Sequence, residues 1–251
     1  MVLQIRRRPL SRFIMQRASD RPKLSRLNIL VGGPRSEWPP ALAAGQISGP
    51  WIGVDRGAIR LLELGITPII ALGDFDSSKQ GEFERVQAAV KDLRQVGSAK
   101  DETDTQLGVR VAMTEFSADE IVIYGATGGR LDHLLANLFL PLETRFRAVV
   151  ARLIFVDRQN EIRYFLPGRY QIDKLPEMRY LAFVTFGEVG GLTLSDERYQ
   201  LDHVDIHQPI SFASNEFVGQ TATFSFTSGI VAVVQSTDLS DNRAERYNLN
   251  A

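Results

Sequence analysis

The chain has 251 residues, a formal charge of −1, 24% charged and 44% hydrophobic residues, an ordinary globular balance with enough apolar matter for a buried core. It contains no cysteine, which excludes disulfides, thiolate metal sites and cysteine nucleophiles, and its three histidines (His133, His203 and His207) are too few for a zinc centre without carboxylates. The 30 acidic residues make oxygen-ligated hard cations the metal chemistry that this composition can build.

Residues 1–26 hold eight bases against one acid, Asp20, so the near-neutral total conceals +7 here and −8 in the rest of the chain. This stretch is expected to be a basic, disordered extension. A targeting segment and a nucleic-acid arm are its alternative readings; no nucleic-acid partner is expected. No run approaches the roughly 18 apolar residues of a membrane span, so a soluble, cytoplasmic protein with no membrane partner is expected.

From residue 27 the pattern alternates. Strands are predicted over 27–31, 51–54, 68–72, 92–96, 120–124 and 149–156, and helices over 58–64, 81–90, 103–113 and 131–140. Thr103 with Gln106 three residues on predicts a capping box. Trp38 and Trp51 read as packing residues. After residue 157 the helical period disappears, and strands are predicted over 161–166, 180–186, 191–194, 221–226 and 229–235. The expected fold class is an α/β domain with a mainly parallel sheet over 27–157, then an all-β, sandwich-like domain over 158–240 and a tail over 241–251.

In an open parallel sheet, ligands bind beyond the carboxyl ends of the strands. There the sequence delivers Asp55-Arg56-Gly57, then Gly73-Asp74-Phe75-Asp76-Ser77, then Gly125-Ala126-Thr127-Gly128-Gly129-Arg130; Lys100-Asp101-Glu102-Thr103-Asp104 opens a helix. In extended chain, Asp74 and Asp76 point the same way, and paired carboxylates call for a cation between them. Magnesium suits such a pair, since it takes oxygen ligands and bridges to phosphates. Asp104 sits in the first turn of its helix, where negative charge is favoured. The glycines of 125–129 let backbone N–H groups approach an anion, Arg130 can grip phosphate oxygens bidentately, and Lys100 can meet one as a point charge. The spacing is neither a Walker loop nor a dinucleotide fingerprint. Asp132 and His133 follow, and Asn137 lies one helical turn beyond His133, where it interrupts an apolar face.

Taken in order, Val54-Asp55-Arg56-Gly57-Ala58, Gly73-Asp74-Phe75-Asp76-Ser77, Lys100-Asp101-Glu102-Thr103-Asp104, and Gly128-Gly129-Arg130-Leu131-Asp132-His133 with Asn137 resemble the thiamine pyrophosphokinase family, as do Ser214-Asn215-Glu216 and Gly229-Ile230-Val231. The resemblance covers residues 27–238. It implies an ATP-dependent transfer of diphosphate to the hydroxyl of thiamine, with AMP as the other product, in a homodimer of α/β plus β-sandwich subunits. On it, Asp74, Asp76 and Asp104 would hold Mg2+ with Asp55 close by as a further catalytic carboxylate. Lys100, Gly128, Gly129, Arg130, Asp132 and His133 would bind ATP, and Ser214, Asn215 and Asn137 would contact substrate. Phe212 or Phe217 would suit the thiazolium cation. Arg56 stands where many members have glycine and can add a phosphate contact; Ala213 stands where a threonine is common. The rival readings are a pyrophosphokinase for another alcohol such as a hydroxymethylpterin, an Asp-x-Asp phosphatase with Asp74 as nucleophile, and a non-catalytic nucleotide or thiamine sensor.

Overall fold

Short strands with apolar interiors set the first layer: β1 (Lys23–Leu30), β2 (Trp51–Val54), β3 (Ile70–Gly73), β4 (Leu93–Gln95), β5 (Ser117–Tyr124) and β6 (Leu153–Val156). They run parallel in the order β6-β5-β1-β2-β3-β4. Every residue of β2 and β3 is buried, as expected of strands covered on both faces. The computed structural model describes residues 20–76, 78–79, 81–97 and 102–239. The chain divides into two compact units after Arg158.

The helices of the first unit are α1 (Pro40–Ala43), α2 (Arg56–Glu63), α3 (Glu82–Ala89), α4 (Asp104–Glu115) and α5 (Leu131–Phe139). Two glycine-dependent contacts place α2 and α4 on opposite faces of the sheet. A Cβ on Gly53 would lie 2.5 Å from Ala58 Cα of α2, whereas a Cβ on Gly108 of α4 would lie 3.0 Å from Val54 Cγ2. Gly53 and Val54 are successive strand residues and so face opposite ways. Strand order therefore runs one way from β1 to β4 and returns through α4 to β5 on the far side of β1, which puts a topological switch point between β1 and β5. Trp38, Trp51 and Tyr124 pack with Leu30, Leu42 and Leu61 in one cluster.

The capping box at Thr103 is present, with the Thr103 N–H donating to Gln106 Oε1 (2.8 Å) and the Gln106 N–H donating to Thr103 Oγ1 (3.3 Å). Two expectations differ. β1 begins at Lys23, inside the stretch read as an extension ending at 26: Lys23, Leu24 and Arg26 pair with Ser117, Ala118 and Glu120, and Arg26 forms an ion pair with Glu120 at 2.7 Å. Those side chains are largely exposed, so they carried no apolar signal. Residues 149–152 are not strand; Val150–Arg152 is a 3-10 turn and β6 starts at Leu153. The rest of the expected extension, 1–19, and the tail 241–251 lie outside the described residues.

The second unit is an antiparallel sandwich. β7 (Asn160–Phe165), β9 (Tyr180–Thr185), β12 (Ile210–Asn215) and β14 (Val231–Ser236) form one sheet in the order β12-β9-β14-β7. β8 (Gly168–Asp173), β10 (Val189–Leu194), β11 (Leu201–Ile206) and β13 (Thr221–Phe226) form the other in the order β11-β10-β13-β8. β9 and β13 alternate strictly between half-buried and buried residues, the signature of one face on a core and one toward solvent. Phe183 of β9 meets Phe224 of β13 edge to face at 5.1 Å, joining the sheets through the core. Among the described residues no helix is long and apolar enough to cross a membrane.

Candidate active site

The carboxyl ends of β1, β2, β3 and β5 are tied together by backbone hydrogen bonds that continue past the strands. Val31 N–H donates to Tyr124 O (3.0 Å), Gly33 N–H to Gly125 O (2.8 Å), and Asp55 N–H to Leu72 O (2.8 Å). Gly33 has to be glycine, since a Cβ there would lie 2.1 Å from Gly125 O. The glycine-rich loop after β5 is thus held against the end of β1, at the switch point.

Asp55 leaves β2 with φ 47° and ψ −119°, an arrangement that costs a non-glycine residue on the order of 1–3 kcal/mol. The turn sends its side chain towards the next strand, where Oδ1 accepts the Phe75 N–H at 3.2 Å. Burial pushes the Asp55 carboxyl up to about 7, helped by a hydrogen bond with the Asp104 carboxyl and by that group's charge, then by Asp74; the Phe75 N–H works against the rise. Asp55 and Asp104 therefore meet as a hydrogen-bonded carboxyl pair. Asp104 reaches it from the first turn of α4, which the Thr103 box fixes.

Asp74 and Asp76 differ from the extended arrangement expected of them. Phe75 between them is buried and left-handed (φ 57°), packing on Phe83 at 5.3 Å, and the chain turns there. The Asp76 N–H donates to Asp74 Oδ1 at 3.0 Å; Asp74 is half-buried and Asp76 exposed. The structure thus places Asp74 near enough to Asp55 for its charge to act there, and turns Asp76 to solvent. No group of three or more His, Asp or Glu side chains among the described residues is drawn close enough to hold a metal ion. Lys100 and Ser77 lie outside the described residues.

In the loop after β5, Gly125, Gly128 and Gly129 all have positive φ (71°, 74° and 68°), which turns successive N–H groups in ways that other residues resist. The Thr127 hydroxyl is buried with no hydrogen-bond partner among the described residues; nothing in the sequence distinguishes one loop threonine from another. Asn137, expected to contact substrate, is buried on α5 and its Nδ2 donates to Ala126 O at 2.8 Å, so it braces the loop. Arg130 is paired with Asp132 at 2.5 Å, both well exposed, and the His133 N–H caps onto Asp132 Oδ1 at 3.0 Å with its ring in solvent.

In the second unit, Ser214 is exposed and left-handed (φ 59°) where β12 breaks register. Asn215, expected beside it as a substrate contact, is instead buried and saturated. Its Oδ1 accepts the N–H groups of Tyr199 and Glu216 (2.9 Å each), and its Nδ2 donates to Tyr199 O (2.8 Å). Phe217 belongs to the sandwich core and Phe212 packs against it; the exposed aromatic ring here is Tyr199.

The catalytic-domain model of thiamin pyrophosphokinase matches residues 47–152, and the vitamin B1 binding domain model of the same enzyme matches residues 169–231. The thiamine pyrophosphokinase of Bacillus subtilis (strain 168) is 39% identical over 215 residues, spanning 84% of this chain and 99% of the relative. A crystal structure of a thiamin pyrophosphokinase family protein from Enterococcus faecalis is 43% identical, with a TM-score of 0.81 over 86% of this chain and 100% of that one. A crystal structure from Lactobacillus plantarum is 45% identical, with a TM-score of 0.76 over 86% and 100%. With both domain models matched in order and the relatives covered end to end, the chain belongs to the thiamin pyrophosphokinase family.

Proposed function

We propose that Asp55, Asp74, Asp76 and Asp104 form the centre at which this family member transfers the β,γ-diphosphate of ATP to the hydroxyethyl oxygen of thiamine, releasing AMP. The α/β domain expected over 27–157 would carry ATP and metal, and the β domain expected over 158–240 would carry thiamine. The observation that supports the reading best is the Asp55–Asp104 pair, with Asp74 acting on Asp55. Two carboxyl groups held this close are a place where a divalent cation can bind.

The donor set fits magnesium in kind, being oxygen throughout; Asp74, Asp76 and Asp104 would hold it with Asp55 alongside, and it supplies charge neutralisation on the phosphate oxygens. Asp76 must turn inward from solvent to join the others. The thiamine oxygen attacks the β-phosphorus, its proton passes to a carboxylate of the Asp55–Asp104 pair, and the bond to the bridging oxygen breaks, so that AMP leaves with that oxygen. The N–H groups of 125–129 and the Thr127 hydroxyl would receive phosphate oxygens. Arg130 would exchange Asp132 for phosphate, an exchange favoured because an exposed ion pair contributes little. Lys100, Gly128, Gly129, Asp132 and His133 remain assigned to ATP on resemblance. Ser214 would meet thiamine directly, with Tyr199 offering a face to the thiazolium; Asn215 and Asn137 would act by holding Tyr199 and Ala126.

A homodimer in the cytoplasm is the proposed working form. Leu131, Leu135 and Phe139, one helical turn apart along α5, are 67%, 41% and 48% exposed, an apolar stripe that a second subunit can cover. The test is AMP release from ATP and Mg2+ with and without thiamine, with product chromatography. Thiamine-dependent AMP together with thiamine diphosphate establishes the reaction; AMP formation indifferent to thiamine overturns the acceptor. Sedimentation of wild type and Leu135→Asp tests the dimer.

A further inference from the structure

Three guanidinium groups share one cleft, whose lining includes none of the four aspartates. Arg35 follows β1, and Arg56 and Arg60 stand one turn apart on α2; Ile59, Glu63 and Glu82 complete the lining of a cavity of about 290 Å³. Like charges four residues apart on a helix repel. Burial lowers the Arg60 pKa, and the charges of Arg56 and Arg35 lower it further, so the three groups feel one another.

The anionic side chains at hand do not cancel this charge. Glu63 is paired with Arg35, and Glu82 accepts the Lys79 N–H at 2.7 Å. Arg60 donates to the carbonyl of Gly33, and its guanidinium lies 5.7 Å from the ring centre of buried Trp38, with that of Arg35 5.4 Å from the same ring. These contacts hold Arg60 in place but do not neutralise it. Among the described residues the Arg56 side chain has no hydrogen bond or ion pair. A carbonyl and an aromatic face orient one arginine, a neighbour is left unpartnered, and the space between them is bounded: that is the construction of an anion site.

We propose that the cleft binds a phosphate-bearing anion, with Arg56 and Arg60 as its direct ligands and Arg35 exchanging between Glu63 and the anion. Its volume is at the low end for small-molecule sites, which suits one or two phosphoryl groups. Arg56 follows Asp55 directly in the chain. The polyphosphate of the nucleotide donor and free inorganic pyrophosphate present the same chemistry. The inference rests on the proposed function only for the first of these sources.

The test uses the full-length chain as wild type, Arg56→Gln, Arg56→Lys and Arg56→Gln/Arg60→Gln, each checked by thermal melting. Binding of inorganic pyrophosphate is measured by calorimetry, which needs no turnover, and KM is measured separately for ATP and thiamine. Loss of a charge-assisted hydrogen bond to phosphate predicts weakening of about tenfold or more in Arg56→Gln, with partial recovery in Arg56→Lys. A rise in the ATP KM alongside weaker pyrophosphate binding, with the thiamine KM unmoved, assigns the cleft to the donor. Weaker pyrophosphate binding with an unmoved ATP KM assigns it to a free anion. Pyrophosphate binding and ATP KM both within about twofold of wild type in Arg56→Gln overturn the proposal; the thiamine-dependent release of AMP by wild type judges the reaction independently. Because Arg56 is exposed, its single variant carries the test even where the double variant does not fold.

Discussion

Gly73 and Asp55 occupy each other's space: a Cβ on Gly73 would lie 1.8 Å from Asp55 Oδ1 and 2.5 Å from its Cγ. The last residue of β3 is therefore glycine because the carboxylate from β2 lies across it, at a φ of 143° that other residues rarely adopt. Gly73→Ala should displace the Asp55 side chain and break its bond to the Phe75 N–H. The expected outcome is a fall in kcat of at least about 100-fold with a lowered melting temperature. Steady-state kinetics with a melting curve checks it; near-normal kcat would mean that Asp55 is not needed where it stands.

The Asp55–Asp104 pair makes a second prediction. Hydrogen-bonded to each other, the two carboxyls act as a unit, and effects within a unit are not additive. Asp55→Asn and Asp104→Asn should each reduce kcat by about two to four orders of magnitude, and the double variant should lose little more than the worse single. Single-turnover measurements at saturating ATP and thiamine check this. Multiplying losses would show that the two carboxylates work independently.

Arg130 and Asp132 invite a different expectation. Their ion pair is exposed, 74% and 62% for the two side chains, and such pairs contribute roughly 0–1 kcal/mol. Arg130→Gln should leave the melting temperature within about 2 °C of wild type while raising the KM for ATP about tenfold or more. A fall in stability with unchanged KM would make Arg130 a structural residue.

The parts of the molecule legible in the sequence are those where one physical demand dominates. Buried parallel strands show as unbroken apolar runs, so β2 was readable to the residue; so was β13, whose one-sided burial imposes strict alternation. The Thr103–Gln106 box is a local hydrogen-bond exchange and needs no tertiary context. The unread strands β8, β11 and β12 are all sheet edges. In β11 and β12 most residues are exposed, and edge strands need little apolar pattern. At the site, residue types were legible and their directions were not. Left-handed Phe75 turns Asp76 away from Asp74, and nothing local announces that a phenylalanine adopts φ 57°. Asn137 was recognisable as a polar group out of place on an apolar helix face and Asn215 only through the family resemblance, yet only the fold supplies Ala126 and Tyr199 as their partners. Arg60 had a signal that went unused, its one-turn spacing from Arg56.

Glu197 gives a prediction in pH. It is buried in the second unit, 1% exposed, with Oε2 accepting the Asp196 N–H at 3.1 Å and Oε1 without a partner among the described residues. Burial pushes its carboxyl up to about 7 from an ordinary 4.5, against the pull of backbone N–H groups. The folded state therefore holds a proton that the unfolded chain releases above about 4.5. Protons bound in excess by the folded state mean that stability falls as pH rises. The contribution is whole below 4.5 and is lost progressively up to about 7, at no more than about 1.4 kcal/mol per pH unit. Glu197→Gln keeps the shape and removes the titration, so its urea midpoint should fall less steeply than that of wild type between pH 5 and pH 7, about the window this shift defines. Parallel midpoint curves for the two proteins would mean that Glu197 is ionised in the folded state, its charge met by groups that move towards Oε1.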